Sequence, residues 1–229
     1  MNRFLVYDLV TRVFHWLFVG LFLTSFIIAE VVDDESLVYS YHMLAGILLG
    51  FTVTLRIIWG SVGTKYARFS HFALNPKDLI SYMKGIISGS KKRWVGHNPA
   101  SSWAGITMML LALGLGITGY LMTTGHKKTW EDTHEVLANG FLIIALLHVA
   151  GIVVHSIRHR DFIGLSMLDG KKADIVPSDT ISSARPILGI LFLGSVIVFG
   201  MHLLNNFDTQ TRKLEIFGQS LVLGEDDKD

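Results

Sequence analysis

His134 and His148 stand 14 residues apart in the run HEVLANGFLIIALLHVAGIVVHS. On a helix, 14 steps of about 100° return to within about 40° of the same face, ~21 Å along the axis. One helix built on this run therefore offers two imidazoles on one face, near opposite ends of its apolar length. His15, in FHWLFVGLFL, and His42, in YHMLAGILLG, also sit in apolar runs. An ionisable side chain at such depth costs several kcal/mol unless it is partnered. Any one of these histidines alone is more often a hydrogen-bonded packing residue than a ligand, but a matched set of four points to metal. Two imidazoles on facing helices fill both axial positions of a non-covalently held b-type haem, an arrangement suited to electron transfer rather than oxygen binding. Zinc or di-iron would call for three or more converging ligands with carboxylates, and the apolar runs hold almost no acids besides Glu135 and Glu30. The chain has no cysteine, which excludes disulfides, thiolate metal sites, iron–sulfur clusters and covalent haem attachment through CxxCH.

The elements that must carry these residues are membrane spans. The 229 residues are 50% hydrophobic and 17% charged, with a mean hydropathy of +0.45, too apolar for an ordinary soluble domain. Five stretches, 12–32, 37–59, 102–123, 132–156 and 186–204, are long enough to cross a hydrocarbon layer of ~30 Å as helices. None shows strand alternation, so the fold class is all-α: a transmembrane helical bundle with a four-helix haem-binding core and a fifth C-terminal span. The first run is too long for a cleaved signal and lacks a small-x-small site, so it reads as a retained span.

Charge sets the orientation. Lys65, Arg68, Lys77, Lys84, Lys91, Lys92 and Arg93 lie between spans two and three; Arg158, Arg160, Lys171, Lys172 and Arg185 follow span four. With Arg3, Arg12 and Arg56, one side of the membrane takes 15 of the 20 Lys and Arg, and the other takes Lys127, Lys128, Arg212, Lys213 and Lys228. The positive-inside rule then places the N-terminus in the cytoplasm and the C-terminal tail outside, in the periplasm. With this orientation His42 and His134 fall toward the outer face, His15 and His148 toward the inner one, and depth pairs them accordingly. Two such pairs make a transmembrane wire. Glycines 46, 50, 105, 114, 116, 119, 140 and 151 either admit a flat macrocycle or serve ordinary close helix packing. Arg12 and Arg56, near the inner surface, either pair with haem propionates or snorkel to lipid phosphates.

The segments YDLVTRVFHW, YHMLAGILLGFTVTLRIIWG, KYARFSHF, GHNPASSWAG and HEVLANGFLIIALLHVAGIVVHS together resemble the bacterial cytochrome b561 family and its close relatives, the b-type cytochrome subunits of nickel-iron hydrogenases, from about Tyr7 to Lys172. By position, the resemblance puts the family's axial ligands on His15, His42, His134 and His148. It implies two haems b, quinone or quinol as redox substrate, and a periplasmic redox protein such as a c-type cytochrome or hydrogenase as partner in a respiratory chain of the bacterial inner membrane. No nucleic acid is expected. His97 of GHNP matches a family motif and is either structural or part of a cytoplasmic site. An alternative implied by shorter family members is a superoxide oxidase passing electrons from superoxide to quinone, with Lys127 and Lys128 of the outer loop as an anion attractant. His155 shares the face of His148, 7 residues away, and is both a rival ligand for His15 and a proton donor or acceptor for quinone. The expected organisation is a di-haem membrane domain over 1–172, a linker and fifth span over 173–204, and a tail over 205–229, either a small folded extension or a disordered one, offered as a docking element for the partner.

Overall fold

The computed structural model describes residues 3–90, 92–173 and 175–224. Lys91 and Lys228 of the charge pattern, and the acidic end of the tail, lie outside them. The chain is an all-α transmembrane bundle with two small sheets, one at each end.

Helix α1 (Leu9–Val31) begins where it does because Asp8 has extended backbone and its carboxylate accepts from the Thr11 amide at 2.7 Å, satisfying one of the unpaired first-turn N–H groups. The same carboxylate, fully buried, also accepts from Trp59 Nε1 at 3.2 Å and from the Thr64 hydroxyl, so one cap ties the start of α1 to the end of α2 (Ser40–Val62). Between spans two and three the sequence suggested only a polar stretch. It contains the helix α3 (Pro76–Ile87), capped by Asn75 with proline in its first turn, whose Ile80, Met83 and Ile87 are exposed.

The 61 residues Pro99–His159 would span ~90 Å as one straight helix, three times what a hydrocarbon core needs, but Thr124 and Gly125 leave helical backbone. The run folds back at Met122–His126, where Gly125 takes φ of 89°, a conformation open to glycine. The products are the antiparallel α4 (Pro99–Leu121) and α5 (Lys127–His159), spans three and four of the sequence. After the short α6 (Ser166–Asp169), α7 (Pro186–Asn205) is the fifth span. It lies so close to α1 at Gly189 that a Cβ there would meet the Leu9 side chain at 2.5 Å.

The packed interior is aromatic. Phe14, Phe18 and Phe22, four residues apart on α1, turn inward with Leu49, Val53, Met109 and Phe141; Phe22 and Phe141 stack at 3.8 Å between centroids. Outward faces are apolar too: Leu146, Leu147 and Val149 of α5 are more than half exposed, as lipid contact requires.

At the basic end, β1 (Arg3–Leu5) pairs antiparallel with β2 (Lys171–Ala173), and the Arg3 guanidinium binds Asp169. The domain boundary drawn at 172 falls inside this strand. At the opposite end the described part of the tail, to Gly224, is folded: β3 (Phe207–Asp208), β4 (Lys213–Ile216) and β5 (Gln219–Val222) form an antiparallel meander.

Candidate functional site

Two of the four spanning histidines meet at the end away from the basic loops. His42 of α2 and His134 of α5 have ring centroids 6.1 Å apart at an interplanar angle of 69°. Two imidazoles bonded to one metal at about 2 Å each have centroids roughly 6 Å apart, so the pair has the spacing of a shared ion. Their hydrogen bonds fix which nitrogen is available. His42 Nδ1 donates to the Ser25 carbonyl at 2.8 Å, with the Ser25 hydroxyl 3.0 Å away. The Thr118 hydroxyl donates to the Gly114 carbonyl at 2.9 Å, so its oxygen accepts from His134 Nδ1 at 2.8 Å. Both rings thus keep the Nε2 lone pair for a ligand, in the orientation that an outer hydrogen bond imposes on metal-bound histidine. On the His42 face of α2, one and two turns on, a Cβ at Gly46 or Gly50 would have nothing within 4 Å, and one at Gly119 would lie 3.5 Å from His134 Cε1. This is a glycine cradle suited to a flat ring.

His15 lies 10 residues before Ser25 on α1, ~15 Å further toward the basic end. His148 lies ~21 Å from His134 in the same direction, and its ring is an electrostatic neighbour of His15. His15 Nδ1 is buried without a hydrogen-bond partner. At this level Arg56, only 2% exposed, donates from Nη2 to the Ala67 carbonyl at 2.9 Å and packs over the Phe69 ring at 4.9 Å, while its Nη1 is buried without a partner. A buried guanidinium with N–H groups to spare fits an anionic oxygen such as a propionate. Arg12 is engaged otherwise, with the backbone carbonyls of Asp8 (3.4 Å) and Leu168. His97 is packed between Tyr7 and Phe72, at 5.0 and 4.7 Å. Burial, then the charges of Lys172 and Arg56, push its imidazole down to about 3, so it is neutral at physiological pH. Its neighbours in GHNP start a helix: Asn98 caps α4, accepting from the Ser101 amide at 2.8 Å, and Pro99 takes the first position.

The model of the family prokaryotic cytochrome b561 matches residues 6–170. The chain belongs to that family. It is a membrane b-type cytochrome, a haem-binding electron-transfer protein. No curated protein and no solved structure matches it.

The matched region ends with the loops that frame a cavity of about 430 Å³ at the basic end of this cytochrome, within the range of small-molecule sites. Trp94, Phe162, Ile163 and Leu165 supply apolar walls, and Arg93, His155, Asp161 and Lys172 are among the charged and polar side chains that line it. His155 is turned away from the His15 level: its Nε2 is 3.7 Å from Asp161 Oδ1 and its ring stacks on His159 at 4.3 Å. Arg93 holds the other Asp161 oxygen at 2.6 Å. The Lys172 ammonium donates to the carbonyls of Trp94, Val95 and Gly96 at 3.1, 3.0 and 2.6 Å, which anchors the cavity wall; burial draws it down to about 8. In the opposite loop Lys127 is paired with Asp34 at 3.5 Å. Among the described residues, no group of three or more His, Asp or Glu side chains converges.

Sequence reasoning did not single out Ser25 and Thr118, the hydrogen-bond partners of the histidines, nor Asp161 and Arg93. Phe141 did carry a signal, since it lies 7 residues from each histidine of α5 and so between them on nearly the same face.

Proposed function

We propose that this cytochrome holds two b-type haems in series across the bacterial inner membrane, with His42 and His134 as axial ligands of one and His15 and His148 of the other, and carries electrons between the quinone pool and a redox protein outside. The supporting observation is the 6.1 Å His42–His134 pair, both rings held through Nδ1. When bound, haem supplies reversible one-electron iron chemistry. The chain's own contributions are orientation and charge. Ser25 and Thr118 fix the imidazoles of one centre, Arg56 offers its spare N–H to a propionate of the other, and the lipid-facing side chains keep water out.

Quinone is assigned to the cavity at the basic end, on the cytoplasmic side in the orientation that the charge pattern favours. Its apolar walls suit a ring and the start of an isoprenoid tail, and His155, paired with Asp161, is placed to hold or release the proton that accompanies each electron. The partner on the other face is of the c-type cytochrome or hydrogenase kind.

Pyridine haemochrome quantitation against protein should give two haems b per chain, and a ratio near one would remove the second pair. His42→Ala and His134→Ala should lose the same haem, His15→Ala and His148→Ala the other. If His155→Ala abolishes the His15 centre while His148→Ala preserves it, the ligand assignment is wrong. With both haem spectra intact, His155→Gln should slow quinol-driven haem reduction about a hundredfold, the lower end of what a lost acid–base group costs; a wild-type rate would take His155 out of the mechanism.

A further inference from the structure

The family match stops at residue 170, yet the segment beyond it is packed against the helix ends that carry His42 and face His134. Ser40, the first residue of α2 and fully buried, donates its hydroxyl to the carbonyl of Leu223, the residue that follows β5. Tyr41 meets Phe207 edge-on at 6.2 Å. Leu44 is buried in one cluster with Leu203, Leu214 and Leu221. These three residues flank His42 on the first turns of its helix. On the other side of the pair, Gln219 Oε1 accepts from the Tyr120 hydroxyl at 3.0 Å, and Tyr120 follows Gly119, the glycine beside the His134 ring. The sheet therefore grips both walls of one centre, although none of its residues points a ligand into it.

We propose that the C-terminal sheet is a positioning element for the His42/His134 haem: by clamping the start of α2 and the end of α4 it fixes the His42 imidazole and limits water at that centre, so that it tunes this haem's potential and leaves the other alone. This rests on the two-haem reading above. Hydrogen bonding and solvent exposure are among the levers that set haem potentials. Water admitted around that haem would stabilise the more charged ferric state, so loosening the clamp lowers the potential.

The test is a redox titration of the full chain against four variants: one ending at Asn205, one carrying Leu214→Ser, one carrying Ser40→Ala, and Ser40→Thr as the conservative counterpart of the last. The expected result is that the potential of the haem lost in His42→Ala falls, with a broadened low-spin signal in electron paramagnetic resonance, while the potential of the other haem stays put. Ser40→Thr restores the wild-type value. Hydrogen exchange at amides 40–44, measured independently of electron transfer, accelerates in the same variants. If the truncated chain does not accumulate in the membrane, Leu214→Ser decides. Unchanged potentials and unchanged exchange in Leu214→Ser and Ser40→Ala overturn the proposal. The underlying reading fails separately, if His42→Ala itself keeps both haems.

Discussion

Arg56 shows what a single buried charge implies. Its guanidinium is enclosed by Phe14, Phe69 and Phe72, and one nitrogen is satisfied by Ala67 while another is left over; such a group is costly unless an anion completes it. Arg56→Gln should therefore lower the potential of the His15/His148 haem and spare its counterpart. A lost interaction of about 1.4 kcal/mol would appear as about 59 mV in a one-electron titration. Lys172 makes a second prediction. Its ammonium is drawn down to about 8 from 10.5, so the folded state binds that proton less tightly than the unfolded one. The cost of the charge is fully present below about pH 8 and is relieved as pH rises toward 10.5. Thermal melts in detergent should show wild type gaining stability over that window relative to Lys172→Met, and parallel curves would deny Lys172 this role. The four histidines were legible in the sequence because imidazoles are rare in apolar runs. Ser25 and Thr118 were not, because hydroxyls in spans commonly bond their own helix, as Thr52, Thr54 and Ser195 do here, and sequence does not separate the two uses.

At the scale of elements, apolar length gave the five spans, and caps moved their ends. Asp8 starts α1 at Leu9 rather than at 12, and Asn98–Pro99 starts α4 at Pro99 rather than at 102. Charged residues at the start of α5 hid its first turn, which begins directly after the glycine fold at 122–126. The C-terminal strands are two to four residues long, too short for alternation to show, and are held together by their packing on α2 and α7. The contact between α1 and α5 was the least legible. Phe141 is the one buried side chain of α5, set between Phe18 and Phe22 at 5.4 and 3.8 Å, and inside a lipid-solvated bundle this packing takes the place of hydrophobic burial. Phe141→Ala should lower stability by about 3–5 kcal/mol, as large-to-small core changes do, and weaken retention of both haems, since the layer separates the two histidine levels. Scanning calorimetry of the purified variant measures the first effect and haem loss to apomyoglobin the second; full retention of one haem would tie Phe141 to a single centre.

Across the whole molecule, the two-haem reading makes the chain a conductor with its two contacts at opposite ends. The histidines of α5 are ~21 Å apart along its axis, most of the ~30 Å hydrocarbon thickness, and each level has its own surroundings. The C-terminal sheet packs on the helices at the His42/His134 end, whereas the basic end carries the cavity lined by His155. If the levels act in series, an electron donor confined to one face reaches the far haem only through the near one. In sealed vesicles with the chain inserted so that the C-terminal sheet faces out, a membrane-impermeant reductant outside should reduce both haems of the wild-type protein. His148→Ala should leave the near haem reduced at the wild-type rate. His42→Ala, which lacks the near haem, should slow reduction of the remaining one by an order of magnitude or more, although its spectrum is normal and a permeant reductant still reduces it. Equal rates for that haem with and without the His42 centre would mean that the two haems are reached independently, and that the chain is not a wire across the membrane.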